Sequence, residues 1–302
     1  PAKSSVESTP RLENRMSITN ISPIDGRYAR VTKPLEGVLS EFALMKYRFY
    51  IELEWLRFLS RADLEGIRTL SEAEHALLEQ ISAEFSVTDA ERIKEIERTT
   101  RHDVKAVEYF IRERLKSTSL EDVGEFVHFA CTSEDINNLS YALMLQAAIN
   151  EHWLPMAQSV VSSVRALAVM HRSVAMMART HGQPASPTTL GKELAVFVYR
   201  WNRQLEQIAR LEYLGKFAGA VSNFNAHVSA YPDADWRGLS RAFVTGLGLG
   251  YNPLTTQIES HDYIAELFHG VMRFNELAAA RAAHHGGGPL RLRRRAGSLV
   301  WR

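Results

Sequence analysis

The feature that most constrains the fold is an amphipathic segment at residues 190–216. Its apolar residues recur at the three- and four-residue spacing of an α-helix, and charged residues occupy many of the intervening positions. The apolar positions are Leu194, Phe197, Val198, Trp201, Leu205, Ile208 and Leu211. Because no segment shows the convincing alternation of a β-strand, we expect an all-α chain.

Similar patterns predict helices along most of the sequence. They cover residues 35–61, 71–85, 88 onward, 132–153, 236–247 and 259–277. Thr132 and Asp135 have the spacing of a capping box at the start of one of these helices. Since proline distorts a helix interior, we expect a kink or break at Pro155.

The composition is that of a globular protein with a sizeable core, since 45% of the 302 residues are hydrophobic and 24% are charged. No apolar run approaches the ~20 residues of a membrane span, so we expect no membrane association. The single cysteine, Cys131, excludes an internal disulfide framework and a multi-cysteine metal site. With no secretory signal, this indicates a cytoplasmic protein in which Cys131 is a small buried packing residue.

The net charge of +1 hides an uneven distribution, because residues 281–302 contain six arginines and no acid. Removing these six from 36 basic residues leaves 30, against 35 acidic residues. An acidic body disfavours binding to nucleic acid. The sequence also lacks the HExxH, P-loop, GxGxxG and GxSxG motifs. We therefore expect chemistry by side chains alone, with no metal or organic cofactor.

The most conspicuous polar cluster lies directly before the central amphipathic segment, at residues 179–189. It places His181 between Thr180 and Gln183 and contains two prolines. We expect a stiff connector with a helix start near Pro187, which would hold His181 rigidly as a catalytic acid or base. The alternative is a histidine that only forms hydrogen bonds in a tight turn.

A second polar cluster consists of Arg27 and Tyr28. These residues directly follow the turn that the Asp25-Gly26 pair predicts. A guanidinium group offers a planar fork of donors, so this pair can bind a phosphate. The alternative is a solvated turn.

Two further clusters lie at predicted helix starts. Arg101, His102 and Asp103 combine three ionisable side chains, and Asp103 would orient His102 only if its carboxylate faced a ring nitrogen. Thr132 and Ser133 offer hydroxyls beside free backbone amides, which suit a carboxylate ligand. Simple helix capping is the alternative for both clusters.

These clusters, taken in order, resemble adenylosuccinate lyase, and more closely its bacterial branch within the fumarase/aspartase superfamily. The matching segments are residues 22–28, 101–110, 132–138, 179–187 and 256–259. The resemblance extends from about residue 21 to residue 275. Its motifs are specific.

The resemblance implies a long central helical bundle with a smaller N-terminal helical domain. It divides the chain into a disordered leader (1–20), an N-terminal domain (21–130), an incomplete bundle domain (131–277) and an aberrant basic tail (278–302). It also implies a homotetramer whose active sites are each assembled from three subunits. The implied reaction is the β-elimination of fumarate from adenylosuccinate, giving AMP, and from the succinylated carboxamide ribotide of purine biosynthesis.

The resemblance assigns a role to each cluster. His181 resembles the general acid that protonates the leaving nitrogen, and His102 resembles the second active-site histidine, which orients the substrate. The remaining positions are Arg27 and Tyr28 at the nucleotide phosphate, Thr132 and Ser133 at the succinyl carboxylates, and Arg101, Asp103, Thr180, Gln183 and Gln257 as further substrate contacts.

The sequence departs from the family pattern in two places. Arg101 stands where many relatives have asparagine. The serine-rich mobile loop that supplies the family's general base does not occur in the sequence, and an arginine-rich segment follows residue 275 instead. We interpret this end as the product of a frameshift and expect little lyase activity from the chain.

Two other functions remain open from the sequence. One is a lyase acting on argininosuccinate, against which the phosphate-binding pair Arg27 and Tyr28 argues. The other is a pseudoenzyme that binds nucleotide or joins partner subunits without catalysis.

Overall fold

The structure, a computed structural model, describes residues 19–284, 293–295 and 298–300. Helices form most of this part of the chain, which confirms the all-α prediction. No helix within it is long and apolar enough to cross a membrane. The expected leader up to residue 18 and residues 285–292, 296–297 and 301–302 of the expected basic tail lie outside the described residues.

Helices α1 to α6 build the N-terminal part. They are α1 (Ala29–Thr32), α2 (Glu36–Leu39), α3 (Glu41–Leu59), α4 (Glu72–Ala83), α5 (Val87–Thr100) and α6 (Asp103–Leu115). Capping boxes begin two of them, with Ser71 and Glu74 at α4 and Ser86 and Asp89 at α5. Their apolar faces enclose a buried cluster that includes Phe49, Leu53, Leu56, Leu78, Ile93, Phe110 and Ile111.

The helix predicted at residues 35–61 is broken near its start. Ser40 has an extended backbone, and its Oγ accepts the N–H of Ala43 at 3.1 Å, so a new helix begins there. A 3₁₀ turn at Lys33–Leu35 precedes α2.

The chain then continues through a 3₁₀ turn (Glu121–Phe126) into α7 (Ser133–Ala147), a π-helical turn (Ala148–Trp153) and α8 (Leu154–Met170). Pro155 is at the start of α8, where its missing N–H costs least. The wider π turn lies directly before it. The chain therefore does not break at Pro155, as was predicted as one outcome, but changes helix type there and stays helical.

Helix α9 (Leu190–Ala209) packs against both α8 and α12 (Asp262–His284). Its apolar face is buried as the sequence predicts, and the indole N–H of Trp201 donates to the carbonyl of Phe274 at 3.2 Å. Gly191 permits the close approach to α8, because a Cβ there would lie 2.4 Å from the carbonyl oxygen of Ala168. The helix ends at Ala209, before the predicted limit of residue 216.

The segment expected to be a stiff connector contains two strands that the sequence did not predict, whereas the helix does start close to Pro187, at Leu190. Strands β1 (Ala175–Thr180) and β2 (Gln183–Thr189) form an antiparallel hairpin. The helix begins only after Thr189, whose hydroxyl accepts the N–H of Lys192 at 3.1 Å. In this two-stranded ribbon most residues are exposed, and although Met176 and Ala178 alternate with exposed neighbours in β1, neither strand has a buried face.

Short elements complete the described part of the chain. They are the parallel pair β3 (Leu214–Gly215) and β4 (Gly250–Tyr251), helices α10 (Asn225–Ala230) and α11 (Trp236–Gly246), and the antiparallel pair β5 (Arg293–Arg295) and β6 (Ser298–Val300). The helix predicted from residue 259 starts at Asp262, because His261 has a left-handed backbone with φ of +60° that does not continue a helix.

Candidate active site

The starts of two helices face each other at His102 and Ser133. His102 directly precedes α6, and its Nδ1 accepts the backbone N–H of Lys105 at 3.2 Å. In the neutral ring the proton must then lie on Nε2, which is 3.5 Å from Oγ of Ser133, the first residue of α7. The His102 side chain is 50% exposed, so a ligand can reach both groups.

Arg48 of α3 connects α6 and α7 on the buried side of the site. Its side chain is buried, with Nη2 2.7 Å from Oδ2 of Asp103 and Nε donating to Oδ1 of Asn137 at 2.8 Å. Partial burial raises the pKa of Asp103, but the charge of Arg48, helped by hydrogen bonds from Arg48 and Val104, outweighs this and lowers the pKa overall. Asp103 is therefore an anion paired with Arg48.

The carboxylate of Asp103 does not orient the His102 ring. Oδ1 lies 3.6 Å from Nδ1, beyond hydrogen-bonding distance, and that nitrogen already accepts from Lys105. The capping reading of this cluster is confirmed, since the ring of His102 caps α6. Arg101 ends α5 in a left-handed conformation, with φ of +53°, and its side chain is exposed.

Asp135 holds the first turn of α7 in place from inside the protein. Its carboxylate accepts the N–H groups of Thr132 at 2.9 Å and of Ala218 and Gly219 at 3.0 Å. Nζ of Lys216 lies 2.8 Å from Oδ1, and both side chains are buried. The predicted capping interaction of Thr132 and Asp135 is confirmed, and the buried ion pair with Lys216 is an addition that the sequence did not predict.

The loop that carries Gln257 ends beside the start of α7, near Glu134. Glu259 is buried and accepts the side-chain N–H of Asn252 at 2.9 Å. The ring of His261 lies between two carboxylates, with Nε2 3.6 Å from Oε1 of Glu134 and Nδ1 3.3 Å from Oε2 of Glu259. Gln257 itself is exposed, two residues before this anchor. Burial raises the pKa of Glu134, although His261 opposes the effect.

His181 lies at the tip of the β1–β2 hairpin. Thr180 pairs with Gln183, so His181 and Gly182 form the two-residue turn, with φ of +53° and +76°. Positive φ at both positions is the mark of a type I′ turn, which requires glycine or a tolerant residue. Residues 179–187 are all exposed. Within the described residues, no hydrogen bond or ion pair joins His181 to His102 or Ser133.

No hydrogen bond or ion pair joins Arg27 or Tyr28 to His102 or Ser133 in the part of the chain that the structure describes. The guanidinium carbon of Arg27 is 5.6 Å from the centre of the Tyr28 ring, and both side chains are exposed. The 3₁₀ turn that follows them packs against the π-helical turn at the far end of α7. That end is about 22 Å along the helix axis from Ser133. The structure thus brings together His102, Asp103, Thr132 and Ser133, and among the described residues no hydrogen bond or ion pair joins His181, Arg27 or Tyr28 to them.

Burial raises the pKa of the Cys131 thiol well above its ordinary value, which supports a packing role over a nucleophilic one. No group of three or more potential metal-ligating side chains is arranged to hold an ion in the part of the chain that the structure describes.

Comparison with known proteins places these features in a family. The model of the lyase family matches residues 26–277. The chain is 52% identical to adenylosuccinate lyase of Haemophilus influenzae over 263 residues, and 51% identical to that of Escherichia coli over 263 residues. Each match covers 86% of this chain and 58% of the relative. The chain therefore spans less than two thirds of the length of these relatives.

Solved structures show the same fold at low sequence identity. The fumarate lyase from Mesorhizobium sp. BNC1 superposes with a TM-score of 0.66 at 20% identity, over 83% of this chain and 56% of that chain. The β-carboxy-cis,cis-muconate cycloisomerase from Acinetobacter calcoaceticus gives 0.63 at 19% identity, with the same coverage. The chain thus belongs to the lyase family, and within that family its sequence is similar to the adenylosuccinate lyases.

Proposed function

We propose that the protein is a carbon–nitrogen lyase of the adenylosuccinate lyase type. It eliminates fumarate from adenylosuccinate to leave AMP, and from the succinylated aminoimidazole carboxamide ribotide of purine biosynthesis. The observation that carries this proposal is the 52% identity to a curated adenylosuccinate lyase across 86% of the chain. The convergence of His102 and Ser133 within the matched region adds a site of suitable chemistry.

The elimination needs groups that this geometry can supply. A proton leaves a carbon next to a carboxylate, so negative charge develops on that carboxylate and requires donors. The start of α7 carries the hydroxyls of Thr132 and Ser133, and Oγ of Ser133 lies 3.5 Å from Nε2 of His102. We assign these groups to the succinyl carboxylates and to substrate orientation.

The departing purine nitrogen needs an acid, and we assign that role to His181. Thr180 and Gln183, which flank it across the hairpin, would contact the substrate. We assign Arg27 and Tyr28 to the nucleotide phosphate, and Arg101, Asp103 and Gln257 to further contacts.

We infer that the complete site is shared between copies of the chain in a cytoplasmic homotetramer. His181 projects from an exposed hairpin, and no contact joins it to His102 in the described part of one chain. A second and third copy can present the hairpin and the Arg27–Tyr28 turn to the His102 site. In this arrangement residues 131–277 would form the bundle between subunits, and residues 21–130 the outer domain.

Substrate selectivity tests the proposal. Purified protein is titrated calorimetrically with adenylosuccinate and with argininosuccinate, and fumarate release is followed by absorbance. We expect adenylosuccinate to bind in preference to argininosuccinate and to be the compound from which fumarate is released, since Arg27 and Tyr28 suit a nucleotide phosphate. Failure to bind adenylosuccinate, or equal binding of argininosuccinate, would contradict the assignment.

A further inference from the structure

A strained segment leads directly into the His102–Ser133 site. We call residues 127–131, between the 3₁₀ turn and Thr132, the strap. His128 and Ala130 within it have φ of +61° and +58°. Left-handed conformations are unfavourable for residues that carry a Cβ, and they persist only where surrounding contacts impose them. The strap must therefore be held by specific partners.

Those partners come from one face of α3. Oε1 of Glu52 lies 2.6 Å from Nδ1 of His128, and Glu52 is fully buried. One helical turn later, the indole N–H of Trp55 donates to the carbonyl of Phe129 at 3.0 Å. The second carboxylate oxygen of Glu52 has no hydrogen-bond partner among the described residues. His128 is therefore the group that compensates this buried carboxylate.

The strap leads directly into the candidate carboxylate-binding residues, so its contacts, together with those of Asp135, fix their position. Thr132 follows it directly as the N-cap of α7, and Ser133 begins the helix. His102 belongs to a different helix, so a shift of the strap would alter the 3.5 Å approach of Ser133 to His102. We propose that Glu52 and His128 are positioning residues, whose ion pair holds Thr132 and Ser133 in register with His102 for an anionic substrate. This inference rests on the proposed function for the identity of that substrate.

The charges around His128 determine how this ion pair depends on pH. Burial lowers the pKa of His128, but the charge and hydrogen bond of Glu52, with Glu108 on α6, outweigh it and raise the pKa overall. Lys105, also on α6, acts in the opposite direction. A raised pKa means that the ion pair is complete below about 6.5 and is lost as the pH rises through the raised value. The strap should therefore loosen at alkaline pH.

The test compares His128→Asn with the wild-type protein. Asparagine tolerates the left-handed conformation, so the backbone can be kept while the charge is lost. Glu52→Gln is the second variant, because it removes the carboxylate charge and retains the side-chain shape. His152→Asn is the matched control, at a partly exposed histidine in the π-helical turn. Circular dichroism first establishes that each variant is folded.

Two measurements follow. Calorimetric affinity for adenylosuccinate is measured from pH 6 to pH 9, and hydrogen exchange of residues 127–137 is measured without ligand. We expect His128→Asn to bind roughly tenfold more weakly at pH 6.5 and to lose the alkaline decline of the wild type. We also expect faster exchange of residues 127–137 in this variant. Because substrate ionisation affects every variant equally, the difference between profiles reports on His128.

The outcomes separate this inference from the proposed function. Unchanged affinity and an unchanged pH profile in both folded variants would overturn the positioning role. If the wild-type protein binds no adenylosuccinate, the proposed function fails, and hydrogen exchange alone then decides. In that case faster exchange in His128→Asn supports the strap contact, and exchange equal to that of the wild type overturns it.

Discussion

Nε2 of His102 lies 3.5 Å from Oγ of Ser133, although the two residues begin different helices. Two helix N-termini therefore converge at one exposed point, with the partial positive charge of their aligned peptide dipoles. Buried cations hold α6 and α7 in place on the side away from solvent. Arg48 connects Asp103 to Asn137, and Lys216 pairs with Asp135. These contacts hold both helix starts beside the exposed point at which a ligand can enter.

The buried ion pair of Asp135 and Lys216 should be essential for the stability of the fold. Lys216→Met leaves a buried carboxylate with three backbone N–H donors and no counter-charge. We expect the free energy of unfolding to fall by about 3–5 kcal/mol. Urea denaturation measures this. Arg92→Met, which removes an exposed pair with Glu113, is the control and should change little.

Arg101 should be a source of backbone strain. Its φ is +53°, and its N–H closes the last turn of α5 by donating to Glu97 at 2.7 Å. Arg101→Gly removes the Cβ that disfavours this conformation, so we expect a gain in stability of about 1 kcal/mol. The melting temperature reports the change. Arg98→Gly, two positions inside the helix end and also exposed, should instead lower it. A loss of stability in Arg101→Gly would argue against the strain.

His227 should make the protein sensitive to acid. It is fully buried among aromatic rings, and neither ring nitrogen has a hydrogen-bond partner in the described structure. Burial lowers its pKa to about 4. The unfolded chain therefore takes up a proton first, and stability is lost as the pH falls from about 6.5 towards 4, by up to about 3 kcal/mol.

A substitution isolates this effect. His227→Leu should flatten the dependence of the denaturation midpoint between pH 7 and pH 5. His269→Leu, at an exposed position of α12, should retain the wild-type slope. The role of His227 would be refuted by parallel slopes for the wild type and His227→Leu.

Features encoded locally could be predicted from the sequence. The buried face of α9, the distortion at Pro155 and the interaction of Thr132 with Asp135 each depend on residues a few positions apart. The hairpin of β1 and β2 could not be predicted, because neither strand has a buried face that would require apolar residues at alternate positions.

Contacts between residues that are distant in the chain could not be predicted from the sequence either. Asp135 accepts the N–H of Ala218, 83 positions away, and Glu52 meets His128 across 76 positions. The periodicity of a single sequence does not report which distant residues meet. The partners Ala218 and His128 therefore could not be predicted for Asp135 and Glu52. The polar clusters did identify His102 and Ser133, but their juxtaposition required the packing of α6 against α7.

The most direct test of the central claim is a calorimetric titration of adenylosuccinate into the wild-type protein and into His102→Asn. Asparagine replaces the cap that Nδ1 of His102 provides to Lys105, so the melting temperature should stay close to that of the wild type. If His102 serves the substrate through Nε2, affinity should nevertheless fall by about tenfold or more. Equal affinity of the two folded proteins would show that His102 only caps a helix, and would contradict the site proposed here.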